Sequence, residues 1–427
     1  MKKLLKGARV IDPGQDLDST KDVLIVDGCI ADVKEKIEIS DAEVTDLSGM
    51  IVTPGLIDMH AHFREPGYEY KEDIESGSRS AAAGGFTAVA CMPNTKPPID
   101  NAALVEFVKS RASKAGKIKI LPIGCVSKGQ EGKEITEMGD MAQAGAVAFS
   151  DDGKPVADSS LMRKAMVYAS MFDRVIIDHC EDPALFEDGQ INEGRVSTLL
   201  GLAGIPVAAE EIMVARNILL AREMGTAVHI AHISTKGSVE LIRKAKSKGV
   251  RVTCEVTPHH LTLTEEAVMG YDTNAKVNPP LRTQEDLKAL LEGLKDGTID
   301  AIATDHAPHH FDEKDLEFDK AAFGLVGLET ALGLVLTKIV REGGLSLDTA
   351  VKKMTSGPAG VLGLDLGTLK IGTPADITVI DPNLVWTVDK DKFSSKGRNT
   401  PFNGWELKGK AVMTIVDGKT VYPDLDA

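Results

Sequence analysis

The sequence of 427 residues contains few cysteines, and none of them form a CxxC pair. The five cysteines, at positions 29, 91, 125, 180 and 254, are odd in number and widely scattered. A disulfide framework or a structural zinc knuckle needs paired, regularly spaced cysteines, so this pattern argues against both. Reduced thiols in a cytoplasmic protein are the interpretation that this usage favours.

Positive charge is also scarce in this chain. Lys and Arg number 49 against 64 for Asp and Glu, which gives a formal net charge of −15. A nucleic-acid-binding surface needs clustered positive charge to displace counterions, so the composition argues against a nucleic-acid partner. An anionic small molecule remains compatible, because a buried cationic site is invisible in a net charge.

Long apolar runs and nucleotide-binding glycine motifs are missing as well. No apolar run reaches the roughly 18 residues of a membrane span. The start, MKKLL, has too short an apolar stretch for a signal peptide. Neither GxGxxG after an early strand nor GxxxxGK followed by Ser or Thr occurs, so dinucleotide and P-loop nucleotide sites have no support. We therefore expect no membrane partner.

The two ends of the chain resemble each other and differ from the middle. The Asp-Gly pairs at 27–28 and 417–418 each lie between two short β-rich runs. Asp-Gly in that setting is a strong signal of a β-hairpin. Isolated hairpins are only marginally stable in water. We therefore expect residues 1–52 and 364–427 to form one small β-sandwich domain.

The middle of the chain, residues 53–363, alternates β-rich runs with helical patterns. The predicted strands are 51–59, 87–93, 118–125, 146–152, 174–179, 227–234, 251–257 and 300–305. The predicted helices are 72–83, 102–115, 135–144, 159–171, 207–224, 238–248, 283–294 and 327–341. Such alternation predicts a parallel sheet with right-handed crossovers. Eight units over about 300 residues favour an α/β protein with a (β/α)8 TIM-type barrel.

Polar residues gather at the carboxyl ends of the predicted barrel strands, where barrel enzymes carry their chemistry. All ten histidines of the chain lie at these positions. His60 and His62 are two residues apart on the first strand, so both rings point to one face, which in a barrel is the interior. Neutral imidazole together with carboxylate suits zinc, with manganese or cobalt as substitutes.

Six ligand-type residues recur at this level of the barrel. His179, His232 and two aspartates complete the set that begins with the first-strand pair. Six ligands are too many for one tetrahedral zinc, and suit two metals that share a bridge. On the fourth strand, Asp151 and Asp152 face opposite sides, and spacing alone does not choose between them.

The remaining histidines have structural interpretations. His229 is three residues from His232, so in a regular strand its ring points the other way, between strand and helix. His306 is expected to help orient the site. For His259 and His260, at a strand mouth, loop packing or support of the ligands is favoured over metal binding.

A set of motifs, in order along nearly the whole chain, resembles those of class I dihydroorotases, within the cyclic amidohydrolases of the amidohydrolase superfamily. The first is DMHAHFREPG at 58–67. The others are MPNT at 92–95, FSDDG at 149–153, HCED at 179–182, HIST at 232–235, NPPLR at 278–282, ATDHAPH at 303–309 and GRNTPF at 397–402. An HxH pair alone is a weak signal, whereas the ordered set is very specific.

The resemblance implies the reversible cyclisation of N-carbamoyl-L-aspartate to dihydroorotate, the third step of de novo pyrimidine synthesis. It implies two divalent metal ions per chain, zinc above others, that activate a bridging hydroxide. The implied metal ligands are His60, His62 and Asp305 for the first ion, His179 and His232 for the second, and Asp152 between them. The same resemblance makes Asp305 the catalytic residue that moves the proton.

The resemblance also implies a set of substrate contacts. Arg64, Asn94 and His309 match the family's contacts to the substrate carboxylate, and Asn278 matches a contact to the ring. The backbone of Phe323 and Gly324 matches a second ring contact, and His62 also borders the substrate. The segment 309–324 after the last strand is charge-rich and ends at a glycine, which is typical of a mobile lid.

Two other functions remain open at this point. One is a related cyclic-amide hydrolase, an allantoinase or hydantoinase. Such enzymes typically bridge their metals with a carbamylated lysine on the fourth strand, where this chain has Asp-Asp-Gly. The other is an inactive scaffold of aspartate carbamoyltransferase. The resemblance is compatible with a homodimer and with a complex with aspartate carbamoyltransferase, since some family members act alone and others in assemblies.

Overall fold

The computed structural model describes residues 2–423, and it begins with five strands. These are β1 (Lys2–Asp12), β2 (Leu17–Val26), β3 (Cys29–Lys34), β4 (Glu43–Asp46) and β5 (Ile51–Pro54). The predicted strand 51–59 is thus divided at Gly55, because its first part pairs within this terminal sheet. Within 2–423, no helix is long and apolar enough to cross a membrane.

The central part of the chain contains short parallel strands. They are β6 (Leu56–Ala61), β7 (Phe86–Cys91), β8 (Lys119–Pro122), β9 (Ile176–Asp178), β10 (Ile191–Asn192), β11 (Gly204–Ile205), β12 (Val228–Ile230), β13 (Val252–Val256) and β14 (Ala301–Ile302). Strands β6, β7 and β8 form one sheet, and β14, β13, β12 and β9 form a second in that order. Strands β10 and β11 pair separately with each other.

Isolated bridges join the two parallel sheets into a ring. Phe149 pairs with Gly124 on one side and with Ile176 on the other, and Ala61 pairs with His306. The segment around Phe149 therefore takes the fourth position of the ring, where a full strand was predicted at 146–152. This closure is the barrel that the alternating sequence predicts, with each strand shorter than expected.

Helices connect the barrel strands. They are α1 (Ile74–Gly84), α2 (Ala102–Ala115), α3 (Met138–Ala144), α4 (Ser159–Ser170), α5 (Pro183–Phe186), α6 (Arg195–Leu200), α7 (Val207–Met224), α8 (Lys236–Lys246), α9 (Gln284–Lys295), α10 (Phe311–Lys314), α11 (Leu328–Leu334), α12 (Leu347–Met354) and α13 (Ser356–Leu362), with a π-helical turn at Val335–Glu342. The eight predicted helices begin close to their predicted starts, and five further helices in the described residues, at 183–186, 195–200, 311–314, 347–354 and 356–362, were not predicted. Side-chain caps explain several starts: Asp73, Asn101 and Thr283 each accept a first-turn N–H.

The last strands complete the terminal sheet. They are β15 (Ile377–Thr387), β16 (Glu406–Val416) and β17 (Lys419–Tyr422). Strand β15 pairs antiparallel with β5, so strands from both ends of the chain share one sheet in the order β17-β16-β15-β5-β1-β2-β3. The limits 1–52, 53–363 and 364–427 for separate domains stay a prediction.

Both predicted hairpins are present in this sheet. Asp27 and Gly28 have φ of 49° and 85°, and Asp417 and Gly418 have φ of 47° and 74°. Two successive positive φ values define the turn that matches the twist of a hairpin. The two turns also touch: a Cβ on Gly418 would lie 2.7 Å from Gly28 Cα. Glycine is therefore required by the turn and by the contact.

Candidate metal centre and active site

The structure brings the six predicted ligands together at the carboxyl ends of the barrel strands. His62 Nε2 lies 3.0 Å from Asp305 Oδ1, and His179 Nδ1 lies 2.9 Å from His232 Nε2. The side chains come from elements far apart in sequence, and all are buried or nearly so. Closure of the barrel is what makes them neighbours.

Asp152 occupies the centre of this cluster. Its Oδ1 lies 3.3 Å from His60 Nε2 and 3.7 Å from both His179 Nδ1 and His232 Nε2. Its Oδ2 lies 3.5 Å from His62 Nε2. One carboxylate therefore faces two pairs of histidines, which is the placement that a ligand bridging two metals needs.

The neighbouring carboxylate, Asp151, points away from the cluster. Its Oδ1 accepts the backbone N–H of Val126 at 2.8 Å, and its Oδ2 accepts the hydroxyl of Ser127. Asp151 thus fastens the segment after β8 to the fourth position of the ring. The geometry separates the two aspartates that spacing alone left open.

The donor set fits metal ions. Two groups of three have ligand atoms within 4.8 Å of one another: His60 with Asp152 and His232, and His60 with His62 and Asp305. Within residues 2–423, His60 Nε2 and Asp152 Oδ1, which face each other in the cluster, are buried without a hydrogen-bond partner. Buried polar atoms are normally satisfied, so these orphaned atoms are what metal binding would complete.

Three residues of the site have backbone conformations that side chains rarely adopt. The φ angles are 62° for Arg64, 26° for His232 and 47° for Asp305. Positive φ in residues other than glycine costs free energy and clusters at functional sites. Each occurs just past a barrel strand, where the backbone turns to aim its side chain at the cluster.

Glu255 is a functional candidate that the sequence analysis missed. This fully buried side chain on β13 lies with Oε1 2.6 Å from His60 Nδ1. Burial would raise the pKa of Glu255, but the charge of His60 and bonds to His229 and His60 lower it to about 2. A charged Glu255 therefore holds a hydrogen on Nδ1 of His60 and leaves Nε2 to face the cluster. The available signal was a carboxylate within an apolar strand, VTCEV.

The prediction for His229 was wrong. Its ring does not pack between strand and helix: Nδ1 lies 2.8 Å from Thr253 Oγ1, and Nε2 lies 3.4 Å from Glu255 Oε2. The prediction assumed that side chains alternate regularly between His229 and His232. That assumption failed because β12 ends at Ile230 and His232 has a positive φ. His229 thus belongs to the support of His60.

Other polar residues hold the ligands and the surrounding loops. Asn94 Oδ1 lies 2.8 Å from His62 Nδ1, which fixes Nε2 of that ring toward Asp305. His306 Nδ1 accepts the N–H of Gly327 at 3.1 Å and does not join the cluster. His260 bonds to Thr257 and to the carbonyl of Pro279, as expected for loop packing, and His259 is buried beside it.

Two of the three predicted carboxylate-binding residues, Arg64 and His309, form one wall beside the ligand cluster, whereas Asn94 contacts His62 and Asp152. Arg64 Nε donates to the carbonyl of Pro308 at 3.2 Å, and Nη2 lies 3.3 Å from His309 Nε2. The same His309 nitrogen lies 2.8 Å from the Phe323 carbonyl. Burial outweighs the bond to Glu313 and lowers the pKa of His309 to about 3, so the ring is neutral. This wall offers the Arg64 guanidinium to an anion, whereas both ring nitrogens of His309 already face acceptors, the Phe323 carbonyl and the Glu313 carboxylate.

The predicted ring contacts lie in two places: Asn278 beside His179, and the Phe323–Gly324 backbone beside His309. Asn278 Nδ2 lies 3.4 Å from His179 Nε2, and within 2–423 its buried Oδ1 has no hydrogen-bond partner. The N–H of Gly324, by contrast, already donates to the carbonyl of Lys276 at 2.9 Å. In this conformation, Asn278 therefore offers the freer ring contact.

Comparison with known proteins gives consistent results. A family model described as dihydro-orotase-like matches residues 49–238, and one described as amidohydrolase family matches residues 319–422. The dihydroorotase of Pelotomaculum thermopropionicum is 58% identical over 99% of this chain and 99% of its own length. That of Geobacter metallireducens is 55% identical over 99% of this chain and 100% of its own length.

The chain belongs to the dihydroorotase family. Solved structures that resemble it are cyclic-amide hydrolases with the same fold. L-hydantoinase from Arthrobacter aurescens has a TM-score of 0.90 at 28% identity, covering 98% of this chain and 96% of that one. Dihydropyrimidinase from Brevibacillus agri has a TM-score of 0.84 at 21% identity, covering 98% and 95%. The similarity in sequence to dihydroorotases is about twice as high, so the hydantoinase alternative fits less well.

Proposed function

We propose that this member of the family is an active dihydroorotase, which interconverts N-carbamoyl-L-aspartate and dihydroorotate. The observation that carries the proposal is the placement of Asp152 between four histidines, next to a wall formed by Arg64 and His309. The complete ligand set argues against an inactive scaffold. The fourth-position aspartate argues against a hydantoinase, whose bridge is typically a carbamylated lysine.

Two divalent ions, zinc above others, are proposed to bind this cluster. His60, His62 and Asp305 would hold one ion, His179 and His232 the other, and Asp152 both. Three buried carboxylates, those of Asp152, Asp305 and Glu255, give the site the negative charge that divalent cations require. Ions bound there would lower the pKa of a water molecule and polarise the ring carbonyl.

Asp305 is proposed to move the proton. In the hydrolytic direction, a water oxygen bonds to the ring carbonyl carbon, and Asp305 takes the proton that this water loses. The C–N bond then breaks, and Asp305 delivers the proton to the departing nitrogen. In synthesis the steps reverse: the carbamoyl nitrogen bonds to the carboxyl carbon, and water leaves. Although burial opposes ionisation, the charge of His60 and the contact with His62 keep the pKa of Asp305 low, so it begins as the base.

Turnover of dihydroorotate, followed by ultraviolet absorbance together with metal analysis, tests the proposal. We expect activity with two ions per chain, and none on hydantoin or allantoin at comparable rates. A fully active preparation with one ion would contradict the bridged arrangement. No turnover in the metal-loaded chain would favour the scaffold, and faster turnover of hydantoin would favour the related hydrolase.

Replacing Glu255 with Gln should weaken metal binding by about 10–100-fold, because the neutral amide oxygen accepts the His60 Nδ1 hydrogen more weakly than a carboxylate and one negative charge beside the cluster is lost. The measurement is the dissociation constant of zinc, from competition with a chelator, in the metal-depleted chain. Asp12→Asn is a matched control, since Asp12 is equally buried but lies in the terminal sheet. Equal affinities of the Glu255 variant and the unchanged chain would show that the charge of Glu255 does not contribute to metal binding.

The cellular setting and assembly are also proposals. Four of the five cysteines are buried and all five are free, which suits the reduced cytoplasm. Assembly as a homodimer or with aspartate carbamoyltransferase stays a prediction. The mass of the purified chain in solution, alone and after mixing with that enzyme, would decide it.

A further inference from the structure

Asn399 connects the carboxyl-terminal part of the chain to the loop that follows β14. It lies in the segment 397–402, after β15, and its residue is 4% exposed. Its Nδ2 donates to the carbonyls of Ala307 at 2.9 Å and Gly324 at 3.1 Å, and its Oδ1 accepts the N–H of His309 at 3.1 Å. Both amide hydrogens and the amide oxygen are therefore used on backbone groups of one loop.

These bonds join the two ends of the loop 307–326. The carbonyl of Asn399 also accepts the N–H of Val326 at 2.9 Å. Lys314, within the loop, donates to the Gly324 carbonyl at 3.0 Å. Asn399 differs from Lys314 because it comes from outside the loop and contacts both ends. Together with the direct bond from the N–H of Ala307 to the carbonyl of Leu325 at 2.8 Å, it therefore holds those ends together.

The segment that carries Asn399 is pressed closely against the loop. A Cβ on Gly397 would lie 2.6 Å from Val326 Cγ1 and 2.8 Å from Pro308 Cβ. It would also lie 3.0 Å from Asn399 Oδ1. Because real Cβ atoms do not approach so closely, a larger residue at 397 would push the segment away. The close packing of Gly397 therefore keeps Asn399 in contact with the loop.

We propose that Asn399 is a positioning residue for the ring carboxylate of the substrate. It acts through His309 and Gly324, whose separation it fixes. His309 Nε2 lies 2.8 Å from the Phe323 carbonyl and 3.3 Å from Arg64 Nη2, so a shift of the His309 end changes both distances and a shift of the Phe323 end changes the first. This role rests on the proposed function, because the carboxylate belongs to dihydroorotate.

Asn399→Asp tests this role with a side chain of the same shape. The new oxygen faces the carbonyls of Ala307 and Gly324, which lose their donor. We expect KM for dihydroorotate to rise at least about tenfold, since unsatisfied buried carbonyls are costly, while kcat and metal content change little. Asn403→Asp is the control: Asn403 is exposed on the same segment and accepts only the N–H of Lys390 in the described contacts. A fall in kcat with unchanged KM would show a merely structural role and overturn the proposal.

A second readout does not depend on activity. In Asn399→Ala without substrate, the backbone amides of 307–326, with His309 first, should exchange hydrogen faster than in the unchanged chain. Exchange equal to that of the unchanged chain would overturn the proposal even if the enzyme is active. If the unchanged chain failed to turn over dihydroorotate, the proposed function would be wrong, and so would the role of Asn399 toward the substrate carboxylate. Faster hydrogen exchange in Asn399→Ala would still show that Asn399 holds the loop.

Discussion

Replacing Asp305 with Asn is expected to lower kcat for dihydroorotate by about 10²–10⁴-fold, the usual contribution of a general base. Asn keeps an oxygen that can face a metal but cannot take up the proton. Asp305 Oδ1 lies 3.0 Å from His62 Nε2 and 3.6 Å from His60 Nε2. KM should change far less than kcat, because the proton moves only in the transition state.

Metal analysis separates the two roles of this carboxylate. Asp305→Ala removes both the oxygen and the base, so it should lose metal as well as activity, whereas Asp305→Asn should keep metal better. Asp140→Asn is a suitable control because Asp140 is exposed on α3, outside the site and its loops. A variant at 305 that retains metal and more than about a tenth of the original rate would assign the proton to another residue.

The sequence predicted the elements and the clustering of the ligand candidates better than the residues that support them. Apolar periodicity along the chain depends on which residues are buried, so it predicts helices well. Helices α2 and α7 begin and end at the predicted residues. The metal-ligand candidates stood out because histidines and aspartates recur at strand ends. Glu255 and Asn399 did not, because their importance comes from contacts with residues 195 and 90 positions away. No local pattern encodes such pairs.

The missed details at the strand ends have a common physical cause. The last barrel strand was predicted at 300–305, but β14 ends at Ile302. Beyond it, the N–H of Thr304 donates to Asp58 Oδ1 at 3.0 Å, and Asp305 takes a positive φ. The Asp58 side chain thus takes the place of a neighbouring strand as the hydrogen-bond partner of the Thr304 backbone. Local propensity predicts regular strands, whereas the site needs the backbone to turn.

The preference for dihydroorotate over dihydrouracil should reach about 10⁴–10⁵ in kcat/KM, because a site built to bind a polar group rejects a ligand that lacks it. The two rings differ in the carboxylate. Arg64 is half-buried beside the site, and its fork can donate two parallel hydrogen bonds to such a group. Without the carboxylate, a partly desolvated guanidinium loses these hydrogen bonds, and that loss falls on dihydrouracil alone.

Arg64→Lys should reduce this preference while keeping the positive charge. Arg64 uses Nε on the Pro308 carbonyl and presents Nη2 toward His309, and a single ammonium cannot reproduce both directions. We expect kcat/KM for dihydroorotate to fall by about 10²-fold or more, whereas that for dihydrouracil should barely change. Because Arg64 also has a strained φ of 62°, loss of fold is a rival explanation. A fall of the same size on both substrates would mean that Arg64 holds the site together rather than recognising the carboxylate.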